Sequence, residues 1–263
     1  MSVVSPPRGV GGLLRDWRLR RRMSQLDLAA EAEVSPRHLS FVETGRSKPS
    51  RELVLHLAEH LDVPLRERNA LLLAAGYAPV YAERPLDDDA MAPVRGALEK
   101  ILASHEPFPA VIVDRRWDLV STNGAALALL TEGVAPWLLE PPVNALRVSL
   151  HPDGLAPRIA NLEEYSAHLI TRLQREAVLA QDPELSELAE ELRGYPGVAD
   201  VATTAVDPAA LLFVPLRLRT GEGELTFFST LATFGTALDV TLAELSIEAF
   251  FPADRETEAA LRS

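Results

Sequence analysis

The chain has 263 residues, 47% of them hydrophobic, with no cysteine and a formal net charge of −12. That length holds one large domain or two small ones with a sizeable core, and the lack of cysteine excludes disulfides and thiolate metal sites. No unbroken apolar run reaches the roughly 18 residues of a membrane span, and MSVVSPPRGVGG lacks a signal-peptide core, so a cytoplasmic protein is expected.

The charge is unevenly placed. Residues 1–76 carry 12 Lys and Arg against 9 Asp and Glu, a net of +3, while the remaining 14 basic and 29 acidic residues give −15. The change of sign predicts two domains with different partners, and any phosphate contact should fall to the first.

In chain order, Leu13–Arg22 is predicted as a first helix, with Leu14 and Trp17 on one face and Arg15, Arg18 and Arg22 on another. The run Arg18, Arg20, Arg21, Arg22 reads by itself as a solvated basic face. Ser24 is placed as an N-cap with Asp27 three residues on, a variant of the capping box. Leu26, Leu28, Ala29 and Ala32 give the second helix its buried side, and Val34 plugs the turn that follows. Ser35 caps a third helix and Pro36 takes its first position, where a missing N–H costs nothing. Leu39 and Val42 face inward, and Gly45 ends the helix. Ser50 caps a fourth helix with Leu53, Leu57 and Leu61 inward; Asp62-Val63-Pro64 breaks it, and Leu65–Ala75 forms a fifth, stopped by Gly76.

Two short helices joined by a tight turn, the second polar and basic on its outer side, suit a protein that lays a helix into the major groove of DNA. The third helix presents Ser35, Pro36, Arg37, His38, Ser40, Phe41 and Thr44. Arg37 is the best candidate for a base contact, because its planar fork can bond two acceptors of guanine. Phe41 can pack on a thymine methyl. Gln25 opens the second helix, where its amide and free backbone N–H groups can hold a phosphate. Arg46, Ser47 and Lys48 follow the reading helix as phosphate clamps. The segment Leu14 to Tyr77 resembles the phage-repressor helix-turn-helix family, also called XRE or Cro/C1-type, in Ser24-Gln25, Leu28-Ala29, Val34-Ser35, Leu39, Glu43-x-Gly45, Pro49 and the closing Ala75-Gly76-Tyr77. The resemblance implies a five-helix DNA-binding domain, with Gln25 on phosphate and Pro36, Arg37 and Phe41 at base-reading positions. Pro36 departs from the polar residue often found there and cannot hydrogen-bond a base.

Residues 78–89, APVYAERPLDDD, read as a linker or strap, and a helix from Met91 to Ala103 follows. From Pro107 the period changes. Ala110–Val113 and Trp117–Thr122 read as strands about a turn at Asp114-Arg115-Arg116, Asn123-Gly124 breaks the second, and Ala125–Leu130 is a short helix. The proline-rich stretch through APWLLEPPV forms no single regular element. Asn161–Ala180 is an amphipathic helix with Leu162, Tyr165, Leu169, Leu173 and Ala177 at helical spacing, and Pro183–Arg193 is another. Leu211–Thr220 alternates, Gly221-Glu222-Gly223 is a hairpin signal, Glu224–Phe234 returns as its partner, a short helix lies near Thr241, and Leu245–Phe251 is a last strand.

The strings PFPAVIVDRRWDLVSTN, NLEEYSAHLITRLQREA, LRLRTGEGEL and TFGTALDVTLAELSIEAFFPAD resemble the ligand-binding domain of MmyB-like transcription regulators. That resemblance implies a PAS-like fold, an antiparallel sheet with helices on one side enclosing an apolar pocket, and a long-chain fatty acid or similar lipid as ligand class. The residues themselves offer an apolar stripe, Phe213, Val214, Phe227, Phe228, Leu231, Phe234, Phe250 and Phe251, of a kind that is more often plain core than pocket. A carboxylate ligand would want a cation at the pocket mouth; His168, Arg172 and Arg175 lie on adjoining turns of one helix and Arg158 precedes it, though each reads more readily as part of a solvated basic face pairing with Glu164 or Glu176. Asn123 either orients the pocket loop or caps the next helix. His56 and His60, four residues apart, lack a third metal ligand and read as a surface pair. No catalytic motif is found.

The expected architecture is multidomain α and α+β: a helix-turn-helix domain over 10–77, a linker and connecting helix over 78–106, a PAS-like domain over 107–253 and a tail over 254–263. The expected function is that of a non-enzymatic transcription regulator, a homodimer on a double-stranded DNA operator, with no cofactor, whose second domain binds an apolar small molecule such as a fatty acid. The alternatives are a constitutive repressor whose second domain only dimerises, and an enzyme carrying a regulatory DNA-binding domain.

Overall fold

The computed structural model describes residues 9–180, 182–199, 214–221 and 223–262. The chain divides into two compact units: residues 1–85 with Thr236–Ala243, and residues 86–235 with 244–263.

Five helices build the first unit: α1 (Val10–Arg20), α2 (Gln25–Glu31), α3 (Pro36–Glu43), α4 (Arg51–His60) and α5 (Leu65–Ala74). The caps are those the sequence predicts. Ser24 accepts from the Asp27 amide at 3.1 Å while Asp27 accepts from the Ser24 amide at 2.7 Å, closing a capping box. Ser35 and Ser50 accept from the amides of His38 and Leu53. The apolar stripes meet in one core that holds Leu14, Trp17, Leu28, Leu39, Val42, Val54, Leu57, Leu61 and Leu72. Leu26 is not part of it: 67% exposed, it points away from the core on α2, whose buried residues are Leu28 and Ala29. Leu26 lies two residues before Leu28, about 200° around a helix, so the two cannot share a face.

Three arginines of the basic run at the end of α1 are built into the fold rather than left on a solvated face, while Arg22 is exposed. Arg18 is only 6% exposed and grips Glu43, at the end of α3, through Nε to Oε1 at 2.7 Å and Nη2 to Oε2 at 2.8 Å. Arg21 donates to the carbonyls of Leu61 and Asp62 at 2.8 and 2.7 Å, satisfying groups that the end of α4 leaves open. Arg20 stacks on the Trp17 ring at 3.8 Å. Gly11 lets α1 approach the end of α3: a Cβ there would lie 2.1 Å from the Val42 carbonyl oxygen.

Residues beyond Tyr77 belong to this unit too. The Asn69 side chain holds the strap, donating to the Tyr81 carbonyl at 2.8 Å and accepting from the amides of Val80 and Tyr81. The segment Thr236–Ala243 carries helix α11 (Val240–Ala243), which packs on α5. Ala82 and Asp239 form a parallel bridge, the Val240 amide donates to the Ala82 carbonyl at 2.8 Å, and Arg84 pairs with Asp239 at 2.8 Å.

The second unit contains α6 (Ala92–Ser104), β1 (Ala110–Val113), β2 (Leu119–Thr122), α7 (Gly124–Thr131), α8 (Ala145–Leu150), α9 (Leu162–Ala180), α10 (Pro183–Arg193), β3 (Leu216–Thr220), β4 (Gly223–Thr233), β5 (Ser246–Pro252) and α12 (Arg255–Arg262). The proline-rich stretch ending at Val143 holds only a 3-10 turn, Pro136–Leu139, and α8 begins after it; the predicted tail holds α12. The strands form one antiparallel sheet in the order β2-β1-β5-β4-β3, so the antiparallel sheet with helices expected from the sequence is present. Side chains alternate across it. Val111, Val113, Leu216, Leu218, Phe227 and Phe250 share the face packed by α9 and its neighbours, and α10 closes the core with Leu185, Leu188 and Leu192. Ala110, Ile247 and Ala249 lie on the other face, beside α6, so helices flank both faces rather than the one side expected. Of the predicted strand starting at Leu211, residues 211–213 lie outside the described residues, and the described part becomes strand at Leu216.

Candidate nucleic-acid interface and ligand cavity

The outer side of α3 is open. Ser35, Pro36, Arg37, His38 and Thr44 are exposed, Phe41 is half-buried, and the Arg37 guanidinium lies over the Phe41 ring at 5.4 Å. Pro36 and the Ser35 cap fix the start of this helix, and Glu43, clamped by Arg18, fixes its end. The Arg18–Glu43 pair therefore holds the reading helix against α1. For the Glu43 carboxyl, burial alone would raise the pKa. Hydrogen bonds from Arg18 and Gln25, followed by the charges of Arg18 and Arg15, outweigh burial and hold it below the ordinary value.

Gln25 Nε2 donates one of its two protons to Glu43 Oε2 at 2.7 Å, which fixes the side chain at the start of α2. Thr44 turns its hydroxyl back to the Ser40 carbonyl at 2.7 Å, as helix-terminal threonines do. Beyond α3 the chain turns at Gly45, whose φ of +73° suits a residue without Cβ. Arg46 and Lys48 are exposed in that loop and Ser47 is half-buried. Lys48 Nζ lies 5.1 Å from the centre of the Tyr77 ring, and Tyr77 is itself anchored through its hydroxyl to the Pro49 carbonyl at 2.9 Å. His56 and His60 meet edge to face at 4.7 Å, and His56 Nε2 contacts the Ala32 carbonyl.

In the second unit a small apolar cavity of about 60 Å³ lies between the sheet and α7, α8 and α9. Val111, Leu216, Leu218, Phe227 and Phe250 line it from the strands, and Ala126, Leu129, Leu130, Leu155 and Tyr165 from the helical side. Few of the residues picked from sequence reach it. Phe228 is one position out of phase: on β4 it faces away from Phe227, and its ring stacks on Phe251 at 5.3 Å. Phe234 follows the end of β4 and does not line the cavity. Phe213 lies outside the described residues. Asn123 caps α7: its Oδ1 accepts from the amides of Ala110 and Ala126, each at 3.0 Å, and its Nδ2 donates to the Phe108 carbonyl at 2.7 Å.

The expected cations are placed elsewhere as well. Arg172 pairs with Glu176 at 3.0 Å and lies over the Trp117 ring at 4.4 Å, while the Trp117 indole donates to Glu176 at 2.9 Å. Arg158 bonds the Glu132 carboxylate and carbonyl, each at 2.7 Å. His168 and Arg175 are exposed on α9; partial desolvation, and secondarily the charge of Arg172, lower the pKa of His168. Glu248 is the least expected charge. On central strand β5 and only 6% exposed, it accepts from Ser229 at 2.8 Å and lies 4.0 Å from Arg172. Burial raises its pKa despite that neighbour.

A signal for Phe227 was present in the sequence. The register of β3 with β4 pairs Leu218 with Leu225 and Leu216 with Phe227, so the alternation of Leu216 and Leu218 with Arg217 and Arg219 carries over to Phe227 rather than Phe228. Nothing in the sequence marks Glu248 as buried.

A helical domain with an exposed reading helix and a separate sheet domain enclosing an apolar cavity define a DNA-binding transcription regulator with a ligand-binding domain. Residues 94–263 match the family described as "MmyB-like transcription regulator ligand binding domain", and residues 14–68 match "Helix-turn-helix". The first match covers more than half of the chain, and the chain belongs to the MmyB-like transcription regulators. A search of curated proteins found no match. Among solved structures, the chain is similar to an RNA-binding light-oxygen-voltage receptor at 15% identity, covering 96% of this chain and 60% of that one, with a TM-score of 0.28, too loose an overlap to define a shared fold. No described helix is long and apolar enough to cross a membrane.

Proposed function

We propose that the chain is a ligand-responsive, cytoplasmic regulator that binds an operator as a dimer, with an apolar small molecule such as a fatty acid in the cavity of its second unit. The observation that carries the reading is the cavity itself, lined by Val111, Phe227, Phe250 and the leucines around them in the domain that follows the DNA-binding unit. Arg37 and Phe41 read bases, and Arg46, Ser47 and Lys48 hold phosphates. Dimerisation supplies the affinity and the two-fold site that one small helical module lacks.

A ligand changes DNA binding only if it favours one arrangement of the protein over another. A covalent route for this runs through the connection between β4 and β5. Those strands carry Phe227 and Phe250 of the cavity, and the segment between them, Thr236–Ala243, belongs to the DNA-binding unit, where Val240 is 1% exposed. Displacing either strand strains a segment anchored there by the Arg84–Asp239 pair.

The alternative, a constitutive regulator whose second unit only dimerises, draws support from the cavity's size. At about 60 Å³ it is smaller than the roughly 150 Å³ apolar cavity that admits benzene, so ligand binding requires its lining side chains to move. Native mass spectrometry of the purified full chain, with thermal shifts against a fatty-acid panel, separates the two. A bound apolar molecule or a saturable stabilisation supports the sensor; a bare mass with no shift supports the constitutive regulator. Light scattering and salt-dependent binding to selected DNA test the dimer and the operator.

A further inference from the structure

A second recess lies on the opposite face of the sheet from the cavity. It is an open groove of about 340 Å³ between α6 and strands β1 and β5, against about 60 Å³ for the cavity, and its volume falls within the roughly 300–1,000 Å³ of small-molecule sites. Strand register builds the floor. Ala110 and Ala249 are cross-strand partners, and Ile247 lies two residues from Ala249 on the same face. Side chains directly opposite one another stand about 5 Å apart, so two alanines side by side leave a flat strip between Ile247 and Ile101. Ile101, on α6, is 39% exposed.

One face of α6 supplies the wall. Lys100 and Ser104 are four residues apart, as are Ile101 and His105, and such pairs are neighbours on a helix surface. His105 is fixed in orientation. Its Nε2 lies 2.8 Å from the Phe250 carbonyl, which can only accept, so that nitrogen carries a proton and donates it. Its ring meets Phe251 edge to face at 4.8 Å. The imidazole is therefore a preformed aromatic side of the groove.

The charge of the groove runs against that of its surroundings. Residues beyond 76 carry a net −15, yet the described residues that line the groove include Lys100 and no Asp or Glu. Lys100 is exposed, and the sequence has only one other lysine, Lys48 of the DNA-binding unit. Ser104 directs its hydroxyl proton to the Lys100 carbonyl at 2.7 Å, so the donor at this end of the groove is the Lys100 ammonium. An ammonium beside an apolar floor suits an anion with an apolar body. A flat floor with an aromatic side suits a planar ring, which gains from ring-to-ring contact.

We propose that this groove binds a planar aromatic carboxylate, with the ring on Ala110 and Ala249 beside His105 and the carboxylate on Lys100. The site is separate from the cavity and stands whether or not the cavity takes a ligand.

The test is NMR of the full chain with its lysine amines ¹³C-dimethylated, because Lys48 and Lys100 are the only two lysines that report. At about pH 7.5, far above the ordinary carboxylate pKa of ~4, 2-naphthoate is ionised. It shifts the Lys100 signal saturably and leaves Lys48 in place. Titration calorimetry on unlabelled protein gives the affinities. Neutral 2-naphthamide binds about two- to five-fold more weakly, the worth of one exposed ion pair, and Lys100→Gln weakens 2-naphthoate by the same factor without affecting 2-naphthamide. Decanoate, whose chain must be ordered on binding, binds about three-fold or more weakly than 2-naphthoate. Ala249→Leu raises the floor and weakens both ring compounds by about ten-fold or more in a variant shown to be folded by circular dichroism. Equal movement of Lys48 and Lys100, movement of neither, 2-naphthamide as tight as 2-naphthoate, or wild-type affinity in folded Ala249→Leu overturns the site. Decanoate as tight as 2-naphthoate overturns the planar ligand class.

Discussion

Replacing Glu43 with Gln tests whether the reading helix depends on the ion pair beneath it. The substitution keeps size but removes the charge opposite Arg18 and turns one of the two acceptor oxygens into a donor; Arg18 is 6% exposed and makes its two bonds to Glu43 at 2.7 and 2.8 Å. An uncompensated buried charge typically costs about 3–5 kcal/mol, a large share of the roughly 5–15 kcal/mol that holds a domain folded. Hydrogen exchange followed by mass spectrometry on the full chain reads this locally. Peptides from α1 to α3 lose protection, while peptides from the second unit keep theirs. Replacing both partners, Arg18→Met with Glu43→Leu, recovers much of the loss, because an apolar pair leaves no orphaned charge. Acid gives an independent check. The Glu43 pKa is lowered in the folded state, so its contribution is present above the unfolded value of about 4.3 and is lost as pH falls through the folded one. Wild-type protection in α1–α3 should therefore fall on acidification below about pH 4, and the Gln variant should lack that component. A Glu43→Gln variant within about 1 kcal/mol of wild type, or a double variant no better than the single, would refute the reasoning.

Other expectations concern single contacts. Gly11→Ala places a methyl 2.1 Å from the Val42 carbonyl oxygen; backbone must shift, and thermal unfolding should show a loss of about 1–3 kcal/mol, the usual range for overpacking. Lys48→Ala should weaken binding to all DNA sequences alike and reduce the salt slope by about one, whereas Arg37→Ala should change the preferred sequence in a selection experiment and cost about 1–3 kcal/mol on the best site; a uniform loss from Arg37→Ala would remove it from base reading. Asp239→Asn weakens the Arg84 pair at 2.8 Å while keeping the acceptor for the Thr241 amide. Ligand affinity should stay at the wild-type level and the effect of ligand on DNA affinity should shrink; an unchanged ligand effect would exclude this connection as the route.

Much of the DNA-binding unit was legible because its signals are local. Ser24, Ser35 and Ser50 mark helix starts through bonds to amides three residues on, and Gly45 and Gly76 mark ends through positive φ. Arg18 was misread because its partner Glu43 is 25 residues away, and only the packed fold brings them together. The second unit is less legible because the inner face of a strand depends on register. Phe227 and Phe228 are equivalent in composition and opposite in direction, as are Phe250 and Phe251. Residues 236–243 read as part of the sheet domain because nothing local to them reports that α11 packs on α5.

The central claim is that occupancy of the cavity between the sheet and α7–α9 changes DNA binding by the N-terminal unit. Its most direct test is the affinity of the full chain for its selected operator, measured by fluorescence anisotropy at fixed salt, with protein stripped of small molecules and with the same protein saturated by a compound that raises its unfolding temperature. Coupling between two sites is typically about 5- to 150-fold, and a change of at least about five-fold that disappears when the cavity is filled by a Val111→Phe substitution is the predicted result. Equal affinities of the stripped and saturated protein would contradict the account.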